Sequence, residues 1–344
     1  MVTLEKEGDI LIVGPAWVGD MVMAQSLFIF LKQRAPHKAI DLLAPEWTRP
    51  LLERMPQVRQ AISMPLRHGQ LGVLTRFQLG RSLRNQGYKE AIVLPNSFKS
   101  ALVPFWAHIP RRTGFVGEMR YGILNDFRQL DKKRLPRTVD RFLALALPSN
   151  APLPDPMPRP CLTSDAQQVA KTVQHFALDP FIAPVMVLCP GAEYGPAKQW
   201  PAEHFSEIAL IYIQRGWQVW MVGSIKELDI THKINHLTGG KCQNLAGKTT
   251  LDQAIDLLQT AQVVLCNDSG MMHVAAALER PLVALYGSSD PHHTPPLSPH
   301  AQTLSLGLPC APCFKRHCPD KHTNCLWQLT PSMVLERLEK MNLT

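Results

Sequence analysis

The first half of the chain alternates short apolar runs with longer segments whose apolar residues recur at helical spacing. The short runs predict strands at DILIVG (Asp9–Gly14), AIDLLAP (Ala39–Pro45), QAISMP (Gln60–Pro65) and KEAIVLPN (Lys89–Asn96). The helical segments lie near Met21–Arg34, Trp47–Met55, Val73–Gln86 and Phe98–His108. Strands that alternate with helices of this length indicate a parallel sheet with right-handed crossovers. We therefore predict a doubly wound α/β domain over residues 1–150.

A proline-rich segment separates the two halves, with six prolines in the thirteen residues 148–160. Proline at this density excludes helix and predicts a stiff connector. The same alternation then resumes, with predicted strands at Ala183–Gly191, Trp217–Gly223, Cys242–Gly247, Ala261–Asp268 and Pro281–Gly287. We predict a second doubly wound domain over 151–330, followed by a helix in 331–344 that crosses back to the first domain.

The length and composition agree with two folded domains. The chain has 344 residues, of which 45% are hydrophobic, and domains of about 150 residues are common. No apolar stretch reaches the roughly 20 residues of a membrane span, and the acidic start MVTLEKEGD has no apolar signal core. These features predict a cytoplasmic protein.

The formal charge of +8 is unevenly divided. Residues 1–150 hold 22 Lys and Arg against 12 Asp and Glu, and the remainder hold 14 against 16. The basic surface therefore belongs to the first half, where it favours nucleic acid, anionic lipid or an acidic substrate. A nucleic-acid-binding module is one interpretation, but the basic half has no recognised groove-reading motif and no aromatic stacking platform.

Two turns in the second half have the form of phosphate-binding loops. VVLCNDSGMMH (Val263–His273) reads as a buried strand that turns at Ser269 and Gly270 into a helix, which directs free amides toward an anion. PGAEYGPAKQWP (Pro190–Pro201) also follows an apolar strand and carries Lys198. Together they predict a diphosphate site. The dinucleotide motif GxGxxG is absent, and Gly247-Lys248-Thr249 lacks the glycine spacing of a P-loop.

A single carboxylate, Asp20, lies where the first predicted strand gives way to the first helix, in GPAWVGDMVMAQSL (Gly14–Leu27). An aspartate at such a point is commonly a helix cap. A carboxylate at a ligand-binding cleft is also suited to act as a general base toward a hydroxyl. The spacing alone leaves both roles open.

Four cysteines near the end follow the spacing C-x2-C-x4-C-x6-C, at Cys310, Cys313, Cys318 and Cys325. Four thiolates can enclose a structural zinc ion, although this is not a paired CxxC…CxxC pattern. Reduced thiols in a loop and a disulfide are the other interpretations.

Several segments together resemble one enzyme family, the ADP-heptose:lipopolysaccharide heptosyltransferases of glycosyltransferase family 9. The matching stretches cover most of both halves: Gly14–Leu27, Leu43–Pro56, Leu94–Asp126, Cys189–Pro201, Asn244–Leu258 and Asn267–Pro291. The WVGDMVM and NSFKSALVP elements favour the member of the family that adds the second heptose.

This resemblance implies a GT-B fold, with two Rossmann-like domains facing a central cleft. It implies an inverting transfer of L-glycero-D-manno-heptose from ADP-heptose to the first heptose of heptosyl-Kdo2-lipid A, in lipopolysaccharide inner-core biosynthesis. The first domain would hold the acceptor and the second the donor. Asp20 corresponds to the family's catalytic base, and Lys198 would offset charge on the departing diphosphate. No cofactor is then required.

The resemblance also assigns binding residues. For the donor these are Lys198, Glu227, Asp268, Ser269, Gly270 and His273, with Asp229 as an alternative to Glu227. For the anionic acceptor we expect basic residues of the matched block, namely Lys99, Arg111, Arg112 and Arg120. The basic first half would also contact the anionic cytosolic face of the inner membrane. The alternatives are the enzyme of the preceding heptose, or another sugar-nucleotide enzyme of this fold such as an epimerase.

Overall fold

The computed structural model describes residues 8–67 and 69–341 of the chain. Contacts within the chain divide it into two units, Met1–Pro160 and Cys161–Thr344. The boundary falls at the end of the proline-rich segment, which forms neither helix nor strand. Each unit has its own sheet and is described by itself.

Unit 1 is an α/β unit whose paired strands all run parallel. Its strands are β1 (Ile10–Val13), β2 (Ile40–Pro45), β3 (Gln60–Met64), β4 (Glu90–Val93), β5 (Arg111–Phe115) and β6 (Asp126–Arg128). They lie in the order β3-β2-β1-β4-β5-β6. Its helices are α1 (Val18–Arg34), α2 (Arg49–Leu52), α3 (Val73–Ser82), α4 (Leu102–Trp106) and α5 (Thr138–Ala144).

Unit 2 repeats this architecture. Its strands are β7 (Val185–Cys189), β8 (Gln218–Met221), β9 (Gln243–Asn244), β10 (Val263–Asn267), β11 (Leu282–Leu285) and β12 (Ala301–Leu304). They lie in the order β12-β11-β10-β7-β8-β9, again all parallel. Its helices are α6 (Ala166–His175), α7 (Ala202–Gln214), α8 (Leu228–Leu237), α9 (Leu251–Gln259), α10 (Gly270–Ala277), α11 (Asn324–Trp327) and α12 (Pro331–Glu339).

Each sheet has a topological switch point beside its first strand. In unit 1 the chain winds outward from β1 through β2 to β3, then returns to place β4 on the other side of β1. In unit 2, β7 and β10 are related in the same way. The loops that follow the two neighbouring strands diverge there and leave a crevice at the carboxyl edge of the sheet, where ligands of such sheets bind.

The predicted α/β class with two parallel sheets is confirmed, and each of the nine predicted strands contains an observed one. The apolar pattern misses β5, β6 and β12 because these strands carry polar and partly exposed residues near the sheet edges. Two predicted helices, Trp47–Met55 and Phe98–His108, are each a short 3-10 turn followed by a short α-helix. Pro50 and Pro104 lie in the first turn of these α-helices, where a missing N–H removes no hydrogen bond.

The packing of the last helix, α12, differs from the prediction. Val334 and Leu338 of α12 are buried in the same apolar cluster as Phe205 of α7 and Leu285 of β11. The apolar face of α12 thus packs into the core of unit 2, and the predicted crossing back to the first domain is replaced by this packing. Among the helices of the described residues, none is both long enough and apolar enough to cross a bilayer.

Candidate active site

The unit 1 switch point is flanked by Asp20 and Lys99. Asp20 is the third residue of α1, which starts five residues after β1 ends, and its side chain is partly buried. The N-cap position belongs to Trp17, whose side chain makes no capping hydrogen bond. Lys99 is partly buried in the 3-10 turn Phe98–Ala101 that follows β4. Because β1 and β4 are neighbours, their loops present a carboxylate and an ammonium group at one edge of the sheet.

Arg120 holds the loop that carries Lys99. Its side chain is buried, and it donates hydrogen bonds to the carbonyl oxygen of Pro95 (2.7 Å), to Ser100 Oγ (3.1 Å) and to the carbonyl oxygen of Phe115. Burial lowers the pKa of Arg120 to about 10, so the guanidinium remains charged at neutral pH. Arg120 therefore supports the loop that follows β4, while Lys99 of the same loop is only partly buried.

Arg111 and Arg112 lie at the opposite edge of the same sheet. Their register partners are Glu90 and Ala91, at the start of β4, whereas Asp20 follows the end of β1. Arg111 pairs with Asp126 at 2.8 Å, and Arg112 donates to the carbonyl oxygens of Ile109 (2.6 Å) and Ile123 (2.7 Å). The structure thus does not bring these two predicted acceptor residues together with Asp20 and Lys99.

In unit 2 the two predicted phosphate turns meet at the switch point. Lys198 ends the 3-10 turn after β7, and Asp268 directly follows β10. The ammonium group of Lys198 donates to the Asp268 carboxylate, in an ion pair whose side chains are 17% and 5% exposed. Its nitrogen also lies 5.1 Å from the centre of the Tyr194 ring. The ion pair leaves the lysine charge locally compensated, which sequence reasoning did not predict.

A residue that sequence reasoning missed, Asn267, connects the same two turns. Its side chain is fully buried at the end of β10. Its Oδ1 accepts a hydrogen bond from the backbone N–H of Trp200 (3.0 Å), and its Nδ2 donates to the carbonyl oxygen of Pro190 (2.7 Å). The sequence does offer a sign of this role, because Asn267 ends an apolar strand and a buried polar side chain needs hydrogen-bond partners.

Helix α10 presents its amino end at this crevice. Ser269 is its N-cap residue and makes no side-chain capping bond, and Gly270 is its first residue. The first amides of a helix lack intrahelical partners and carry partial positive charge. His273, one turn further on, is buried, and burial lowers its pKa to about 4. The imidazole is consequently neutral at pH 7 and is available only as a neutral hydrogen-bonding group.

Glu227 and Asp229 differ in placement. The Glu227 carboxylate accepts a hydrogen bond from the backbone N–H of Ser224, and burial raises its pKa. It lies against Gly191 and Gly223, where a Cβ atom at either glycine would overlap it. Asp229 is exposed on α8. The structure therefore brings Glu227, and not Asp229, to the glycine turn after β7.

The four C-terminal cysteines are free thiols. They line one small cavity of about 40 Å³ together with Ala197, Ser288, Pro319, Asp320, His322 and Thr323. Burial, followed by the three neighbouring thiols, raises the pKa of Cys325. Within residues 8–67 and 69–341, no group of three or more His, Cys, Asp or Glu side chains is arranged to hold a metal ion.

Comparisons with known proteins agree with this architecture. A family model described as glycosyltransferase family 9 (heptosyltransferase) matches residues 76–324. The chain is 48% identical to lipopolysaccharide heptosyltransferase 2 of Escherichia coli, over 96% of this chain and 98% of that protein. It is 45% identical to lipooligosaccharide heptosyltransferase 2 of Haemophilus ducreyi, over 96% and 99%. The solved structure of E. coli ADP-heptose LPS heptosyltransferase II matches with a TM-score of 0.86 and 45% identity, over 97% of this chain and 98% of that one.

Proposed function

The chain belongs to glycosyltransferase family 9, the heptosyltransferases, and from this membership we propose the reaction in full. The enzyme transfers L-glycero-D-manno-heptose from ADP-heptose to the first heptose of heptosyl-Kdo2-lipid A. Its relatives of 45 and 48% identity are named lipooligosaccharide heptosyltransferase 2 and lipopolysaccharide heptosyltransferase 2. The donor, the acceptor and the residue roles below are our assignments.

One observation carries the donor assignment, namely that Lys198 and Asp268 join two glycine-containing turns at the unit 2 switch point. A diphosphate placed there lies against the amino end of α10, whose free amides and dipole favour an anion. Lys198 then exchanges Asp268 for a phosphate oxygen, or shares its three N–H donors between them. Charge on the departing ADP is thus stabilised by preorganised donors, each worth about 3 kcal/mol.

Glu227 extends this site on the side of β8. Its partly buried carboxylate lies beside Gly191, in the turn that also leads to Lys198. A carboxylate in this position is suited to accept hydrogen bonds from the hydroxyl groups of a ribose or a heptose. We assign Glu227 to the donor, together with Ser269, Gly270 and the neutral imidazole of His273.

Asp20 is assigned as the general base. In an inverting transfer, the acceptor hydroxyl attacks the anomeric carbon while ADP leaves from the opposite face, so one base must remove the hydroxyl proton. The Asp20 carboxylate lies at the carboxyl edge of the unit 1 sheet, which is where such sheets bind ligands. General base catalysis by a positioned carboxylate contributes about 10²- to 10⁴-fold.

For the acceptor we retain Lys99 as a direct ligand and Arg120 as the residue that supports its loop. The phosphates and Kdo carboxylates of the inner core are anions, and Lys99 is a basic side chain in the loop after β4, the strand beside β1. Arg111 and Arg112 are assigned to the stability of unit 1. We further propose that the enzyme works on the cytosolic face of the inner membrane, to which the basic residues of unit 1 are attracted.

A single-turnover assay with ADP-heptose tests the proposal. Heptosyl-Kdo2-lipid A should be glycosylated, Kdo2-lipid A should not, and donor without acceptor should remain unchanged. Transfer to Kdo2-lipid A would instead assign the preceding step of the pathway. Conversion of the donor in the absence of an acceptor would indicate an epimerase, and the proposed reaction would be wrong.

A further inference from the structure

A stretch of unit 1 is basic without any acidic residue. Residues 54–89 contain seven Arg and Lys residues and no Asp or Glu. They span β3, the loop after it, and α3. Arg59 is neutralised by Asp9 and Asp41, and Arg76 is buried, but Arg67 and Arg81 are exposed. Among the described residues of this stretch, Arg67 and Arg81 therefore give the surface a positive charge.

Three large apolar side chains are exposed within the same stretch. Leu71 and Val73 are each 50% exposed and Leu74 is 67% exposed. Leu71 lies in the loop after β3, and Val73 and Leu74 are the first two residues of α3. We refer to these three residues as the α3 tip. Their exposure is costly in water unless something covers them.

The α3 tip has a defined backbone. Gly72 is the N-cap residue of α3 with a φ of +52°, a left-handed conformation that favours glycine, and the Leu66 side chain fills the space that its Cβ would occupy. The buried Arg76 donates a hydrogen bond from Nε to the carbonyl oxygen of Leu71 (2.7 Å). The turn is thus held with its three apolar side chains exposed, which indicates a surface that is built to meet something apolar.

The position of the tip relates it to the acceptor side of unit 1. The tip follows the carboxyl end of β3, and therefore lies at the same edge of the sheet as Asp20. β3 is the outermost strand, so the tip is at a corner of that edge. Trp47, which is 50% exposed, follows the neighbouring strand β2. Aromatic side chains of this kind are enriched at membrane interfaces.

We propose that the α3 tip inserts into the headgroup region of an anionic lipid bilayer, with Arg67 in the loop before the tip and Arg81 in the last turn of α3 attracted to the lipid phosphates. Basic charge combined with a few exposed aliphatic side chains is the combination that binds proteins to such surfaces. The inference rests on the proposed function, because a lipid-anchored acceptor presents its heptose at a membrane surface. It adds which part of this chain makes the contact.

Vesicle binding tests the contact directly. The triple variant Leu71→Ser, Val73→Ser, Leu74→Ser should bind vesicles containing phosphatidylglycerol about tenfold or more weakly than the unchanged protein, because its apolar side chains no longer enter the lipid. The matched control is Phe181→Ser with Ile182→Ser, which removes an exposed apolar pair from unit 2 and should bind as the unchanged protein does. Arg67→Gln with Arg81→Gln should reduce the preference for phosphatidylglycerol over pure phosphatidylcholine.

Activity measurements distinguish a role of the α3 tip in membrane binding from a role in catalysis. The triple variant should lose kcat/KM on the acceptor embedded in vesicles, and should keep that of the unchanged protein on the same saccharide released from its lipid. Unaltered vesicle binding by the triple variant, or no binding by the unchanged protein, overturns the proposal. An equal loss on both acceptors also overturns it, since the tip would then act on the saccharide. Vesicle binding through the tip with no heptose transfer to either acceptor would instead contradict the proposed function alone.

Discussion

At the scale of single residues, the structure changes how Lys198 should be understood. The sequence suggests a lysine that offers one full positive charge to the diphosphate. In the structure, that charge is paired with Asp268, which is 5% exposed. If Lys198 is removed, the buried Asp268 carboxylate loses the cation that it pairs with and repels an incoming phosphate, so the two residues must be tested together.

We predict that Lys198→Ala weakens ADP binding more than the double variant Lys198→Ala, Asp268→Asn does. The single variant removes the cation and leaves a buried negative charge, at a cost of about 3 kcal/mol or more in stability. The double variant removes both charges. Titration calorimetry with ADP and thermal unfolding measure the two effects. Lys226→Ala is the control, because its pair with Glu193 is exposed and such pairs contribute about 0 to 1 kcal/mol. Equal ADP affinities of the single and double variants would contradict this coupling.

Asp20 gives the second prediction at this scale. Asp20→Asn preserves the shape of the side chain but removes the base, so kcat should fall by about 10²- to 10⁴-fold while ADP affinity is retained. Asp9→Asn is the matched control: Asp9 lies just before β1, at the other edge of the sheet, where it accepts a hydrogen bond from the N–H of Ala39 (3.1 Å) and pairs with Arg59. Its kcat should be unaffected. An Asp20→Asn enzyme with full turnover would exclude Asp20 as the base.

At the scale of elements, function depends on loops that follow neighbouring strands. The loop after β7 and the turn after β10 are distant in sequence, and the amide of Asn267 holds them together through Trp200 and Pro190. A shift of about 1 Å in such a site is sufficient to cost 10²-fold in rate. We therefore assign Asn267 as a positioning residue for Lys198 and for the turn at Gly191.

We predict that Asn267→Asp raises the KM for the donor about tenfold or more and leaves the acceptor KM unchanged. The new carboxylate can no longer donate to the carbonyl oxygen of Pro190, so the first turn moves away from the second. Steady-state kinetics with each substrate varied in turn will measure this split. The control is Gln262→Glu, one residue before β10, where Oε1 accepts a hydrogen bond from the N–H of Val185 (2.6 Å) at the amino end of the sheet. A uniform loss of stability, with both KM values unchanged, would reduce Asn267 to a purely structural role.

At the scale of the whole molecule, the two sheets share one strand order, and each has its switch point beside its first strand. In both sheets the residues that we assign to the reaction follow the carboxyl ends of strands, and in unit 1 the ion pair of Arg111 with Asp126 lies at the amino edge. In unit 1 the division separates Asp20 and Lys99 from Arg111, Arg112 and their partners. All of these basic residues belong to the sequence block Leu94–Asp126, so their separation cannot be seen from the sequence. It arises because β5 begins at the amino edge of the sheet and ends at the carboxyl edge.

Substitution of a basic residue should have different effects at the two edges of the unit 1 sheet. Lys99→Gln should raise the acceptor KM and reduce its dependence on salt, with little change in stability, because a partly buried ammonium near Asp20 meets an anionic acceptor. Arg111→Gln should leave the acceptor KM unchanged and lower the melting temperature, because Asp126 loses one of its two ion-pair partners, the one at 2.8 Å. Acceptor kinetics at two ionic strengths and thermal unfolding distinguish the variants. An increased acceptor KM in Arg111→Gln would return that residue to the acceptor site.

The amino-acid sequence by itself determined the fold class, nine apolar strands and the turns that follow β7 and β10, because burial on both faces of a parallel sheet requires continuous apolar runs in the sequence. It also pointed to Asp20 and Lys198, whose positions follow from strand ends and turns. Only the tertiary structure decided the partners: the ion pair of Lys198 with Asp268, the bridging amide of Asn267, and the choice of Glu227 over Asp229. The physical reason is that hydrogen bonds and ion pairs require distances of about 3 Å between residues that are far apart in the chain. The spacing of residues in the sequence does not determine these distances.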